Sequence, residues 1–232
     1  MTLLIDRIVQ LFKWPMALLS LGNLWFLAVA DTELILKTVN GAHQNFWLGM
    51  IVYLLVYRFV FSARLFGSWL PTLVHECIHV LFAWLTLHRV TGFSVSWRKG
   101  GHVEYVGGKG NWLITISPYF FPLATILGVL IEGVLDPTIV QRSLGMGGLF
   151  GFELIYVWRQ IHPQQTDFHK VGMLFVWMFL PGAILFGYGI LLSFLLLGVD
   201  GAAAFLGQTI NHTMELFQWG LEYTQSLISS FQ

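Results

Sequence analysis

Val74-His75-Glu76-Cys77-Ile78-His79 interrupts an apolar run that extends from Leu65 to Leu87. About 20 apolar residues in a row are what a helix needs to cross a bilayer. Ionisable groups inside such a helix each cost roughly a few kcal/mol unless something compensates. The rest of the chain defines the setting. Only 10% of its 232 residues are charged and 56% are hydrophobic, with a mean hydropathy of +0.71. A soluble domain carries about 25% charged residues. This chain lacks the polar surface to face water and reads as an integral membrane protein in contact with a lipid bilayer. Its net charge is zero and it has no Lys/Arg run, which excludes an electrostatic nucleic-acid binder. Cys77 is the single cysteine, so no internal disulfide forms.

Six hydrophobic segments follow along the chain: roughly 14–30, 46–63, 65–87, 111–135, 144–161 and 171–199. The fold class expected is an all-α polytopic membrane protein of about six transmembrane helices. Three parts are expected: N-terminal membrane helices over 1–64, a core over 65–170, and a C-terminal long helix with a tail over 171–232. The second and third segments meet tightly around Arg64, and the last is long enough to tilt or to break near Pro181-Gly182. Arg7 and Lys13 before an apolar run ending Ala28-Val29-Ala30 resemble a signal peptide; the segment is read as retained.

The polar stretch 88–110 has two alternating runs, Phe93–Trp97 and His102–Val106, around Gly100-Gly101. That pattern predicts a short β-hairpin over 93–106. Residues 202–232 read either as an interfacial amphipathic helix or as a helix packed on the bundle. With the 88–110 loop on the cytoplasmic side, seven Lys/Arg fall inside and five outside, a small majority in the direction of the positive-inside rule.

On a helix, residues four apart share a face. His75 and His79 therefore reach one ion together, and Glu76 borders the same face. Two imidazoles suit Zn²⁺. The neighbouring carboxylate can take a proton from an attacking water and pass it to a leaving amine, the logic of H-E-x-x-H metalloproteases. The bland counterpart is a buried polar network that holds helices together. A hydrolytic zinc site needs a third protein ligand. Asp167, His162, His169, His102, Glu132 and Glu153 are all candidates, and Asp167 could equally cap the helix that starts beside it. Cys77 points away from the metal side. His43, His88 and His212 read as interfacial, and Glu132 and Glu153 as groups that snorkel or pair with Arg142 or Arg159.

Three features together resemble the site-2 protease family of intramembrane metalloproteases. They are His75-Glu76-Cys77-Ile78-His79 in a hydrophobic helix, the patch Ile116-Ser117-Pro118-Tyr119-Phe120-Phe121-Pro122 opening the next segment, and Asp167 after the one that follows. The resemblance covers roughly residues 65–170. It implies Zn²⁺ held by His75, His79 and Asp167, Glu76 as the catalytic base, and substrate contacts at Ser117, Pro118 and Tyr119. It also implies a membrane-protein or peptide substrate and a metal site toward the cytoplasmic side of a membrane, read as a bacterial inner membrane. The chain departs from the family pattern in having Phe168 after Asp167, where Gly is usual, and it has no room for a PDZ domain. The alternative is an inactive scaffold or a subunit of a larger membrane complex that keeps the fold without cutting. A transporter lined by Arg58, Glu132 and Glu153 is a weaker reading, since no inverted repeat is visible.

Overall fold

The computed structural model describes residues 1–39, 41–57, 69–96, 100–135 and 143–230. Arg58, the junction at Arg64, residues 97–99 and Arg142 lie outside them. The chain is mostly helical with one small antiparallel sheet. In order, the elements are α1 (Thr2–Leu11), α2 (Lys13–Thr38), α3 (Gln44–Val56), α4 (Trp69–Leu85), β1 (Arg89–Ser96), β2 (Gly100–Val106) and α5 (Trp112–Ile116). A 3₁₀ turn (Ser117–Tyr119), α6 (Leu123–Leu135), α7 (Leu144–Gln160), α8 (Thr166–Val171) and α9 (Met173–Ser230) complete it.

Among the described residues, α2 and α9 are long and apolar enough to cross a membrane. A third span results if α5, the 3₁₀ turn and α6, bent by 71°, count as one broken helix. Helices α3 and α4 are apolar but shorter. The protein is a membrane protein on these helices and its composition.

The break in α9 is not at Pro181-Gly182, where the sequence suggested it. The helix runs through Pro181 and turns at Gly198, whose φ of 73° and ψ of −161° suit a residue without a Cβ. The proline region packs closely on α2. Ser20 Oγ donates to the carbonyl of Phe179 at 2.5 Å, and any Cβ on Gly182 would collide with Ser20. Beyond Gly198 the chain folds back along α2. His212 stacks on Phe26 with centroids 4.6 Å apart, and Thr213 Oγ1 donates to Asn23 Oδ1 at 3.2 Å. Of the stretch 202–232, the part around Phe205, Thr209 and His212 packs on the bundle, while residues 221–230 are exposed.

Helices α3 and α7 meet at glycines. A Cβ on Gly147 would run into the carbonyl of Phe46, and one on Gly49 into the carbonyl of Leu144. Small residues at such a crossing let two backbones approach closely, which is what drives helix association in lipid.

Helix α4 ends in a reciprocal pair of backbone bonds. His88 N–H reaches the Ala83 carbonyl at 2.8 Å and Leu87 N–H the Trp84 carbonyl at 2.9 Å. This is a Schellman stop with Leu87 in the left-handed position (φ 60°) usually held by glycine. The chain then enters β1, which pairs with β2 from Arg89↔Val106 to Ser96↔Gly100, with an irregularity between Val90 and Gly92. The strand begins at Arg89, four residues before the predicted start.

Helix α1 is fastened beside this junction. Asp6 accepts from Asn111 Nδ2 at 2.8 Å and lies 3.3 Å from His88 Nε2, while His88 Nδ1 meets Thr86 Oγ1 at 3.0 Å. His88 is therefore a buried member of a polar network rather than an interfacial residue. Periodicity could not reveal this, because its partner Asp6 is 82 residues away.

Candidate metal centre

His75 and His79 occupy successive turns of one face of α4, ring centroids 4.7 Å apart. Their Nε2 atoms lie 3.1 Å from each other. Asp167, in the first turn of α8, brings Oδ2 to 3.7 Å from His75 Nε2 and 3.6 Å from His79 Nε2. These three are the one group among the described residues whose ligand atoms converge as a metal site requires. Of the other third-ligand candidates, His162 and His169 are exposed and His102 faces Glu104 on the hairpin at 3.6 Å.

The donor chemistry fits a zinc ion. His79 Nδ1 is 2.8 Å from the carbonyl of Ile114, which can only accept, so this nitrogen carries the proton. His75 Nδ1 is 2.5 Å from Gln160 Oε1. Both neutral rings then direct an Nε2 lone pair at the same point, beside a carboxylate oxygen. Three converging acceptors with no proton between them call for a cation. With zinc–nitrogen bonds of about 2.0–2.1 Å, neighbouring tetrahedral ligands stand about 3.3 Å apart, close to the separations found here. Burial works against the charge of Asp167, while Lys170 Nζ, 3.0 Å from Oδ1, favours the carboxylate. It thus offers an anionic oxygen.

The sequence also explains the supports. Pro118 stands four residues after Ile114 and has no N–H, so the Ile114 carbonyl loses its helical donor. That carbonyl is what receives His79, with Ser117 Oγ at 3.1 Å as a second donor. Tyr119 Oη donates to Asp167 Oδ2 at 3.2 Å. Ser117, Pro118 and Tyr119 are all buried, standing behind the three ligands. Gln160 was not legible as a site residue. Its only signal was its place at the polar end of an apolar segment.

Glu76 follows His75 and is 7% exposed. Strand β2 passes over it, since a Cβ on Gly101 would lie within 2.7 Å of Glu76 Cδ. Glu153, expected to snorkel or pair with an arginine, pairs with none among the described residues and does not reach an interface. It is fully buried and accepts the N–H groups of Ala124 (2.7 Å) and Thr125 (3.2 Å) at the start of α6. A carboxylate satisfies the free donors there and matches the positive end of the helix dipole. Arg159 instead donates to Tyr57 Oη, and Glu132 accepts from Ser143 at 2.8 Å. A cavity of about 590 Å³ between α3, α4, α6 and α7 reaches this side of the site at Val74 and Gln160. A larger apolar cavity of about 860 Å³, between α2, α5 and α9, touches none of the three ligands.

An HExxH helix in a membrane protein, joined by a distant aspartate and followed by a hairpin, defines the site-2-protease-like class. A family model described as Peptidase M50B-like matches residues 47–199. The chain belongs to that family, as its resemblance to site-2 proteases implied. No curated protein and no solved structure matches it.

Proposed function

We propose that the protein is a membrane-embedded zinc metalloendopeptidase acting on membrane-protein or peptide substrates. The observation that carries this is the convergence of His75, His79 and Asp167 beside Glu76. Zinc held by these three would supply an electrophile for the scissile carbonyl and acidify the attacking water. Glu76 takes the proton of that water as its oxygen bonds to the carbonyl carbon. It then delivers the proton to the amide nitrogen as the C–N bond breaks. The free edge of β2, which pairs with β1 on its other side, suits strand addition by an unwound substrate segment. Ser117, Pro118 and Tyr119 would serve the substrate indirectly, by fixing the ligands it meets.

The six apolar segments are proposed as six crossings, with α3, α4 and α7 spanning a thinned or polar-edged stretch. The site would then face the cytoplasmic side, as the lysine and arginine distribution supports, of a membrane taken to be a bacterial inner membrane.

One observation favours a second reading. The cover that β2 places on Glu76 would also suit a member that keeps the fold as a scaffold or complex subunit without cutting. Glu76→Gln separates the two. A protease variant keeps its zinc and loses cleavage of a co-expressed membrane substrate; unchanged cleavage or an unchanged cellular phenotype would sink the peptidase reading.

A further inference from the structure

Resting on the metal reading above, we propose that Gln160 is the positioning residue of the metal site, selecting the tautomer of His75 that ligates. Gln160 is the last residue of α7, while His75 lies in α4, and the two meet at 2.5 Å between Oε1 and Nδ1. His79 draws its acceptor from the backbone, the Ile114 carbonyl, so its tautomer is set by the fold alone. Among the described residues His75 meets no such carbonyl. Its Nδ1 faces a side chain, and an imidazole whose Nδ1–H is held by an acceptor must present Nε2 to the ion.

Gln160 also controls the third ligand. Its own backbone carbonyl accepts from Gln165 Nε2 at 3.0 Å, closing the 161–165 turn that leads into α8 and Asp167. One residue thereby joins α7 to both remaining arms of the site: through its side chain to His75, through its main chain to the turn before Asp167. A neutral amide in this place leaves the net charge of the ligand set at minus one, from Asp167. A carboxylate would make His75 a stronger donor.

The test is zinc titration of the chelator-stripped full-length protein in detergent, by competition with a chromophoric chelator. Gln160→Met, which fills the space without accepting, is expected to bind zinc about 10–100-fold more weakly. Gln160→Glu, which can only accept, is expected to bind at least as tightly as the wild type. Wild-type affinity in Gln160→Met, or equal loss in both variants, would overturn the role, because packing alone would then account for it. Should Gln160→Met fail to fold, ¹⁵N-imidazole spectra of the metal-free wild type decide: His75 protonated on Nδ1 supports the role, and on Nε2 overturns it. His79→Ala keeps this result apart from the parent reading. Its failure to lower zinc affinity, or a wild type that takes up no zinc, would remove the metal site and the role of Gln160 with it.

Discussion

Gly101 of strand β2 lies against Glu76 of helix α4 so closely that a Cβ would stand 2.5 Å from Oε1 and 2.7 Å from Cδ. A real Cβ never approaches that near, so any other residue there requires the strand or the Glu76 side chain to shift. The side chain of the proposed base and the backbone of the proposed substrate-binding strand are thus fitted to each other. Gly101→Val forces β2 away from Glu76. The expected result is at least a tenfold fall in cleavage with zinc content unchanged, because no ligand is touched. Equal cleavage by the variant would show that the strand does not align substrate.

Tyr119 is the next test: its ring is buried against Phe168 and His75, and its hydroxyl reaches Asp167. Tyr119→Phe removes one hydrogen bond of about 1 kcal/mol. Zinc affinity should weaken roughly fivefold, with the melting temperature little changed. An affinity equal to the wild type would mean that Asp167 is held by α8 and Lys170 alone.

Pro118 acts through an absence. Pro118→Ala restores an N–H that competes with His79 for the Ile114 carbonyl. The expected reading is weaker zinc binding without loss of helix content by circular dichroism. Identical zinc affinity would refute the idea that the proline frees this carbonyl for the site.

Gly147 bears on the frame rather than on the chemistry. Gly147→Val puts a branched side chain into the Phe46 carbonyl, and overpacking of this kind costs about 1–3 kcal/mol or more. Thermal melting in detergent should fall. Zinc affinity should fall with it, because α7 carries Gln160.

Glu153 holds the start of α6 from inside the protein. Glu153→Leu leaves two buried N–H groups without their acceptor, at about 1–3 kcal/mol each. Glu153→Gln, which keeps one acceptor oxygen, should lose less. A leucine variant as stable as the glutamine one would show that water or a neighbour takes over the donors.

Much of this was readable before folding was considered. Composition alone required a membrane protein, because polar surface is a property of residue types and needs no coordinates. The His75–His79 pair followed from helix geometry, since residues four apart in one helix meet whatever surrounds them. The two alternating runs carried the hairpin for the same local reason, but not its turn: Gly100 and Gly101, read as the turn, lie in β2 and pair with Ser96 and Val95. What only the tertiary structure decided were relations between residues far apart in the chain. Asp167 stood among six candidates until α8 was set against α4. Gln160 meets His75 across 85 positions, and Glu153 caps a helix 28 and 29 residues before it. Gly198, with a backbone conformation that suits glycine, turns the last helix, while the helix continues through Pro181. Local rules fix which atoms a segment offers; which atoms they meet depends on how the whole chain closes its apolar surface.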